Sequence, residues 1–397
     1  MASTPLRAAC ASLVVACSVS LVAPVSAVAG PDRSEVTIGG ALLARAGTVV
    51  QPQVGAPPLP SGVSAASWIV ADLGSGEVLG ARNAHGRFLP ASTIKTLTAV
   101  ALIPELQRGD LHQALFNDVN IEGSKVGLVP GERYRIDTLF QAMLVVSGND
   151  AANSLATAAG GVSRTVSLMN ATAQRLQAFD TVARNPSGLD APTQLTSAYD
   201  LALITRAGMT MPSYRTYVAT LRSRINAPGG KSFEIYNHNK LLTRYPGTTG
   251  GKTGYTVQAR RTFVVTALRG GRELVVAMMR SETMLPDATK LLDWGFAASG
   301  RVTPVGRLVD PIDEEAESVA AATSVDIEHS TQVAPQLSGV DAAPRVVASA
   351  GASVPVRVAA PVGAVALLGT AVVLRRRQVR RRRYGRSSNL RLNLPVR

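Results

Sequence analysis

Cysteine is nearly absent from this chain of 397 residues. Cys10 and Cys17 are the two cysteines, and both lie in an apolar N-terminal stretch. If that stretch is removed on export, no thiol remains in the rest of the chain. Disulfide bonds, thiolate zinc sites and cysteine nucleophiles are then excluded. A chain of this length has a core large enough to fold without disulfides.

Histidine is also scarce. The four histidines are His85, His112, His238 and His329, and none lies at metal-ligand spacing from another. No Gly-x-Ser-x-Gly elbow accompanies them, which disfavours a Ser–His–Asp triad, and the chain has no phosphate-binding glycine loop. The sequence therefore predicts chemistry that needs neither a metal nor a cofactor.

The N-terminus has little charge. Residues 1–29 carry one charged side chain, Arg7, followed by an apolar stretch that ends in small residues around Ala27 and Ala29. This arrangement is typical of a secretory signal peptide with a small-residue cleavage site. An uncleaved N-terminal anchor is the alternative.

Acidic residues are absent from the C-terminal tail. Residues 375–397 hold ten arginines, which account for all but four of the net charge of +14. The uncharged apolar run before them, residues 358–374, predicts a short transmembrane helix. The arginines would then lie in the cytoplasm, near anionic lipid head groups. Nucleic-acid binding is the alternative for such a block, and an export signal disfavours it.

The remaining chain divides by composition. Residues 30–62 are rich in Ala, Gly, Pro and Val and are predicted to form an irregular lead-in. Residues 301–357 form an acidic segment that is predicted to be a flexible stalk. Residues 63–300 predict an α+β domain, because strands, helices, strands and a final helix follow one another, and the first strands can pair with the last in an antiparallel sheet. The signals are a hairpin around Gly74–Gly76, helical periodicity from Ser92 to about Gly208, strands at Arg261–Leu268 and Glu273–Met279, and a helix at Leu285–Ala298.

Ser92 and Lys95 lie three residues apart at the start of an apolar helical run. Residues at this spacing share a helix face, so the amine can lie against the hydroxyl. A serine hydroxyl becomes a nucleophile when a base takes its proton. A lysine can do so when burial or a nearby cation lowers its pKa. In the alternative interpretation Ser92 caps the helix and Lys95 extends to water.

Two further stretches strengthen the catalytic interpretation. Ser147 and Asn149 fall between two predicted helices in the run SGNDAANSL, where loop side chains can face a cleft. Lys252, Thr253 and Gly254 enter a predicted strand in the run GKTGYT. Gly254 leaves that strand without a side chain, so an extended peptide can approach closely. A helix stop and a glycine-rich turn are the structural alternatives.

Ser-x-x-Lys, Ser-Gly-Asn and Lys-Thr-Gly, in this order, resemble the motif set of the penicillin-binding and serine β-lactamase superfamily. The runs SGNDAANSLA, NPSGLDAPTQLTSAYDLALITR and GKTGYT are similar to those of low-molecular-weight D-alanyl-D-alanine carboxypeptidases. The resemblance covers roughly Val63 to Ser299. It implies an antiparallel sheet with helices on both faces and a helical subdomain, to which the predicted stalk and transmembrane helix would add an anchor.

The resemblance also implies roles for the residues. Ser92 would be the acylated nucleophile, Lys95 its base and Ser147 a proton relay to the leaving group. Asn149 would hold the substrate backbone. In the third motif, Lys252 and Thr253 would position the substrate carboxylate. The strand that contains Gly254 would pair with the substrate backbone. A second oxyanion donor would come from near Thr256. The expected substrate is the peptidoglycan stem peptide, and β-lactams are expected to acylate Ser92.

Several alternatives stay open on the sequence. A class A β-lactamase would need a glutamate that activates water, and Glu234 is the one glutamate between the second and third motifs, in an unsuitable setting. An endopeptidase would share all three motifs, and an inactive wall-binding scaffold is the alternative of another class. After the run GYT, where relatives often have Ala-Gly, this chain continues with residues 257–261. Arg260 and Arg261 in this run could bind the substrate carboxylate or serve as ordinary strand-start charges. The sequence predicts no oligomeric state.

Overall fold

The computed structural model describes residues 37–312. The predicted signal peptide, transmembrane helix and arginine tail lie outside the described residues, as does nearly all of the predicted stalk. Within residues 37–312, no helix combines the length and the apolar character that crossing a bilayer would require.

Most of the helices lie in sequence between an early group of strands and a late one. The strands are β1 (Thr48–Val49), β2 (Gln51–Pro52), β3 (Ser67–Asp72), β4 (Glu77–Arg82), β5 (Leu111–Gln113), β6 (Arg133–Arg135), β7 (Arg222–Ala227), β8 (Lys231–Tyr236), β9 (Thr248–Thr256), β10 (Arg260–Arg269), β11 (Arg272–Ser281), β12 (Val302–Thr303) and β13 (Gly306–Arg307). The helices are α1 (Lys95–Leu102), α2 (Phe116–Val119), α3 (Ile136–Val145), α4 (Asn149–Ala158), α5 (Val162–Arg175), α6 (Ala198–Thr210), α7 (Pro212–Ala219), α8 (Leu241–Arg244) and α9 (Met284–Ala298). Two short 3-10 turns lie at Ala41–Ala44 and Ala91–Ile94.

One antiparallel sheet of seven strands organises the domain. Its order is β1-β4-β3-β11-β10-β9, and β13 also pairs with β4. The first hairpin joins the last two long strands through β3 and β11, where Val70 lies opposite Val276. This pairing confirms the predicted antiparallel sheet in which early strands meet late ones. The strand β9 forms one edge of the sheet.

Helices cover both faces of the sheet, as the resemblance implies. Trp68 and Val70 of β3 pack with Leu291 of α9 on one face. Ile69 and Ala71, which alternate with them, belong to the larger core formed with the other helices. Because both faces are covered, the central strands are almost continuously buried, and every residue of β3 is buried.

The helix α1 lies inside the helical part of the domain. It contacts α3, α4, α5 and α6, and all eight of its residues are buried. A helix enclosed on all sides has no polar face toward water. Its first residue, Lys95, is therefore buried along with the apolar residues that follow.

The ordered domain extends beyond the boundaries predicted for it. In the lead-in, β1 pairs with β4 and Leu43 is buried. After residue 300, β12 pairs with β2 and β13 with β4, and the Leu308 side chain is fully buried. Residues 301–312 therefore pack against the domain instead of starting the stalk, with β13 in the seven-stranded sheet and β12 in a separate two-stranded one. Such two-residue strands are too short to give a periodic signal in sequence.

A hairpin of β7 and β8 was not predicted. Its strands are mostly exposed, and Ile225 and Ile235 are its buried apolar residues. Polar strands lack the apolar alternation by which a half-buried strand is recognised. The pair Gly229–Gly230 between them is a hairpin turn signal that the sequence does offer.

We expect Leu308→Ala to lower the free energy of unfolding by about 2–5 kcal/mol, because it leaves a cavity against the sheet. Leu268→Ala, at a side chain that is 45% exposed, serves as the matched control and should change it by less than about 0.5 kcal/mol. Urea unfolding of the purified protein measures both. Equal values for the two variants would contradict the packing of residues 301–312.

Candidate active site

Ser92 lies in the 3-10 turn that leads into α1. The turn follows Pro90, and Ser92 makes no capping hydrogen bond, which removes the alternative of a helix cap. Ala91 has a positive φ of 48°, a conformation that costs energy for a residue with a side chain. Such backbone strain concentrates at functional sites. It turns the half-buried Ser92 toward a cleft.

The turn rests directly on strands β9 and β10. Thr262 donates a hydrogen bond to the Pro90 carbonyl at 2.8 Å. A Cβ at Gly254 would lie 2.9 Å from the backbone nitrogens of both Ser92 and Thr93. Glycine is required here because the nucleophile's own turn approaches the strand. From the sequence, Gly254 was expected to allow the close approach of the substrate alone.

Lys95 is held by three acceptors. Its Nζ donates to Ser92 Oγ at 3.1 Å, to Asn149 Oδ1 at 2.7 Å and to the Ser187 carbonyl. Burial lowers its pKa well below the usual value, and the positive charge of Lys252 lowers it further. This lowering favours the neutral amine, which can donate to Asn149 and to the Ser187 carbonyl while its lone pair faces the Ser92 hydroxyl.

The second motif approaches Lys95 from the side of α4. Asn149 is the first residue of that helix instead of lying on the predicted loop, and its Nδ2 donates to the Glu122 carbonyl at 2.7 Å. Its amide therefore positions Lys95. Ser147 lies on the preceding loop with a positive φ of 65°. Its buried Oγ has no hydrogen-bond partner among residues 37–312, which leaves it free for a reacting group.

The third motif lies on the edge strand β9. Lys252 is buried, and its Nζ donates to the Thr253 carbonyl at 2.7 Å. Burial lowers the pKa of Lys252 to about 7. Since β9 pairs with β10 on one side, its other edge stays open for an extended peptide.

These segments enclose a cleft of about 250 Å³. Its lining consists of Ser92, Ser124, Ser147, His238, Thr253, Gly254, Tyr255, Arg261 and Met284. Four predicted site residues thus meet at one surface, with Lys95, Asn149 and Lys252 buried. Thr256 is not part of this lining, and its hydroxyl donates to Asp190 at 2.9 Å.

Sequence reasoning missed several cleft residues. His238 follows the β7–β8 hairpin, and its pKa is lowered by burial and by the charges of Lys252 and Lys240. Ser187 contributes a backbone carbonyl, for which any residue type would serve. The signal that could have located this loop is Asn185, whose side chain accepts hydrogen bonds from the backbone of Ser187 and Gly188, as in an Asx-turn.

The two arginines after the third motif differ in position. Arg261 lines the cleft, with its guanidinium 5.8 Å from the Tyr255 ring centroid. Arg260 points to the surface and forms an ion pair with Glu282 at 3.2 Å. Of these two arginines, Arg261 is thus the one available to a bound substrate.

The chemistry of this cleft is that of an activated serine. Ser92 has a base, Lys95, within hydrogen-bond distance, and its own backbone N–H can contribute to an oxyanion hole. Among the described residues, no carboxylate lines the cleft, while Arg261 and His238 do. This lining suits a substrate that ends in a carboxylate.

Known proteins resemble this chain in sequence. Residues 52–283 match the sequence profile of the D-alanyl-D-alanine carboxypeptidase family. The chain is 44% identical over 267 residues to the D-alanyl-D-alanine carboxypeptidase DacB2 of Mycobacterium tuberculosis, covering 65% of this chain and 90% of that protein. It is 28% identical to DacF of Bacillus subtilis over 59% of this chain, and this match spans 62% of the relative's length.

Solved structures agree with these sequence matches. A crystal structure of a D-alanyl-D-alanine carboxypeptidase from Mycobacterium tuberculosis is 43% identical, with a TM-score of 0.61 over 66% of this chain and all of that one. The DD-transpeptidase of Streptomyces is 25% identical, with a TM-score of 0.58 over 61% of this chain and all of that one.

We expect Lys252→Met to move the pH dependence of Ser92 acylation to higher pH. Below its pKa Lys95 carries its proton and cannot accept one from Ser92, so the rate rises as pH passes that pKa. Removing the charge of Lys252 removes one cause of the depressed pKa, and the midpoint therefore rises. Acylation rates with a chromogenic β-lactam, measured across pH, give this midpoint whatever happens to the maximal rate.

Lys231→Met, on the exposed strand β8, removes a matched charge away from the cleft and should leave the midpoint unchanged. A midpoint in Lys252→Met equal to that of the parent would show that Lys252 does not tune the base.

Proposed function

This chain belongs to the D-alanyl-D-alanine carboxypeptidase family, and on that premise we propose that Ser92 is the nucleophile with which it removes the terminal D-alanine from peptidoglycan stem peptides. The observation that carries the assignment is the contact between Ser92 Oγ and the Nζ of the buried Lys95. A buried amine of lowered pKa is the base that an otherwise weak serine nucleophile requires.

The acylation step follows from this geometry. Lys95 takes the Ser92 proton while Oγ attacks the carbonyl carbon of the penultimate D-alanine. The carbonyl oxygen gains the negative charge, which the Ser92 N–H and a second backbone donor from β9 stabilise. The C–N bond then breaks, and the leaving amine receives a proton through Ser147. An ester on Ser92 and a free D-alanine result.

Deacylation repeats these steps with water. Water loses a proton to the same base and attacks the ester, and the proton returns to Ser92 Oγ. The products are the shortened peptide and the free enzyme. Every proton is thus transferred by the Ser92, Lys95 and Ser147 set.

The substrate carboxylate meets the positive side of the cleft. Thr253 and Arg261 line it, while Lys252 lies buried next to Thr253. His238 lies on the same wall and would orient the carboxylate as a neutral donor, since its pKa is lowered. Asn149 and the free edge of β9 would hold the peptide backbone.

A class A β-lactamase is the weaker interpretation of the same motifs. Glu234 lies on the β8 strand, where its carboxylate accepts a hydrogen bond from Tyr236. It does not line the cleft, so it is not available to activate a deacylating water. Penicillin should therefore remain on Ser92, as expected of a penicillin-binding peptidase. An endopeptidase acting on cross-links would use the same residues and release a different leaving amine.

We further propose that the enzyme is exported and anchored by residues 358–374, with the catalytic domain outside the cytoplasm. The support is the sequence pattern: an N-terminal signal, an apolar run and ten arginines after it. A peptidase of the cell wall requires this location, because its substrate lies beyond the membrane.

Ser92→Ala should abolish both the covalent penicillin adduct and D-alanine release, with at least a thousandfold loss of turnover on a peptide ending in D-Ala-D-Ala. Intact-mass analysis detects the adduct, and a D-alanine assay follows turnover. Ser163→Ala, an exposed serine on α5, is the control and should retain both. An adduct on the folded Ser92→Ala variant would remove Ser92 from the mechanism. An adduct lost within seconds in the parent would favour the lactamase.

The anchor has its own test. A chain that ends at residue 357 should move from the membrane fraction to the soluble fraction of cells, because the apolar run and the arginine tail are both missing. β-Lactam labelling of each fraction locates the enzyme. Membrane retention of the shortened chain would assign the anchoring to the N-terminal segment instead.

A further inference from the structure

A second cavity, separate from the catalytic cleft, opens between the N-terminal segment and α6. It has a volume of about 420 Å³, and it shares no lining residue with the catalytic cleft. Its lining consists of Thr37, Ile38, His85, Gln177, Phe179, Asp180 and Asp200. The proposed mechanism uses none of these residues.

His85 has a defined tautomer at this cavity. Its Nε2 lies 3.1 Å from the Ile38 carbonyl oxygen, which can only accept, so Nε2 carries the ring proton. In a neutral imidazole the other nitrogen, Nδ1, is then a lone pair. It lies 2.8 Å from Asp180 Oδ2, a second acceptor. Acceptors facing both ring nitrogens require either a second proton on the ring or a cation at Nδ1.

A third acceptor completes the cluster. Asp200 on α6 is buried, with 1% of its surface exposed, and its carboxylate accepts a hydrogen bond from Thr181 at 2.6 Å. One atom each of His85, Asp180 and Asp200 lies within 4.8 Å of the other two. Arg87, which is half exposed, lies 4.0 Å from the other oxygen of Asp180.

We propose that His85, Asp180 and Asp200 bind a divalent transition-metal cation, for which Zn²⁺ is the probe. One imidazole and two carboxylates are ligands that such an ion accepts. A metal-bound histidine commonly donates its other N–H to a backbone carbonyl, and Ile38 supplies that carbonyl. Donor atoms of a tetrahedral ion lie roughly 3.4 Å apart, so the contact of His85 with Asp180 would widen by roughly 0.6 Å.

The site would be structural and not catalytic. It would join the N-terminal segment at Ile38 to α6, two parts that are far apart in sequence. Thr181, which bonds Asp200, also contacts Thr196 at 2.9 Å. Thr196 ends the loop that contains Ser187, the carbonyl partner of Lys95. A cation at the cluster would therefore brace the loop that holds the catalytic base.

The test is Zn²⁺ binding to the metal-stripped full-length protein, measured by titration calorimetry and by thermal unfolding. We expect one Zn²⁺ bound per chain with a rise in Tm of several degrees at saturation, since a ligand that binds only the folded state stabilises it. His85→Gln should weaken this binding at least tenfold and abolish the rise in Tm. Cys10, Cys17 and His329 are unchanged in the variant, so the difference isolates the cluster.

His112→Gln is the matched control. His112 faces one carboxylate, Asp118, at 3.2 Å, and it belongs to no group of three metal ligands among residues 37–312. This variant should bind Zn²⁺ like the parent. Asp200→Asn, of the same shape, should weaken binding like His85→Gln, and penicillin labelling reports whether each variant is folded. Equal Zn²⁺ binding by the parent and His85→Gln would overturn the proposal and leave a proton as the bridging charge.

Discussion

Burial of Lys95 is the constraint on which the rest of the active site depends. A charged amine inside the domain would lose its hydration at a cost of several kcal/mol, so the folded protein favours the neutral form. The neighbouring buried amine of Lys252 adds to this preference, because two positive charges repel each other in a low dielectric. The desolvation energy that disfavours a charged lysine in the interior favours its neutral form, and the neutral form is the base that the serine needs.

The fold supplies this environment through two features. The first is α1, which is enclosed by four helices and so buries its own first residue. The second is the strand β9, which carries Lys252. Two residues later on this strand, Gly254 lies against the Ser92 turn, where any side chain would collide. The sheet edge provides both the second amine and an open backbone for the substrate. Helical and sheet parts of the domain therefore contribute to one reaction.

Two of the seven non-glycine residues with positive φ among residues 37–312 lie at the reacting serines. Ala91 and Ser147 both adopt positive φ values, and each lies where the chain must turn sharply to present a serine. The surrounding core holds these conformations, since α1, α3 and α4 are largely buried. A rigid core under two strained turns positions the hydroxyls before the substrate arrives, which lowers the entropy cost of the reaction.

The sequence by itself determined the motif residues and their order, the antiparallel α+β fold and the activity class. These depend on local patterns: periodicity, glycine positions and residue types at fixed spacing. The tertiary structure alone decided that Asn149 and the Ser187 carbonyl hold Lys95, and that His238 and Arg261 line the cleft while Arg260 does not. It also decided that residues 301–312 pack against the domain. His85, Asp180 and Asp200 likewise meet only in space. Contacts between residues a hundred positions apart depend on how elements pack, and no pattern along the chain records that packing.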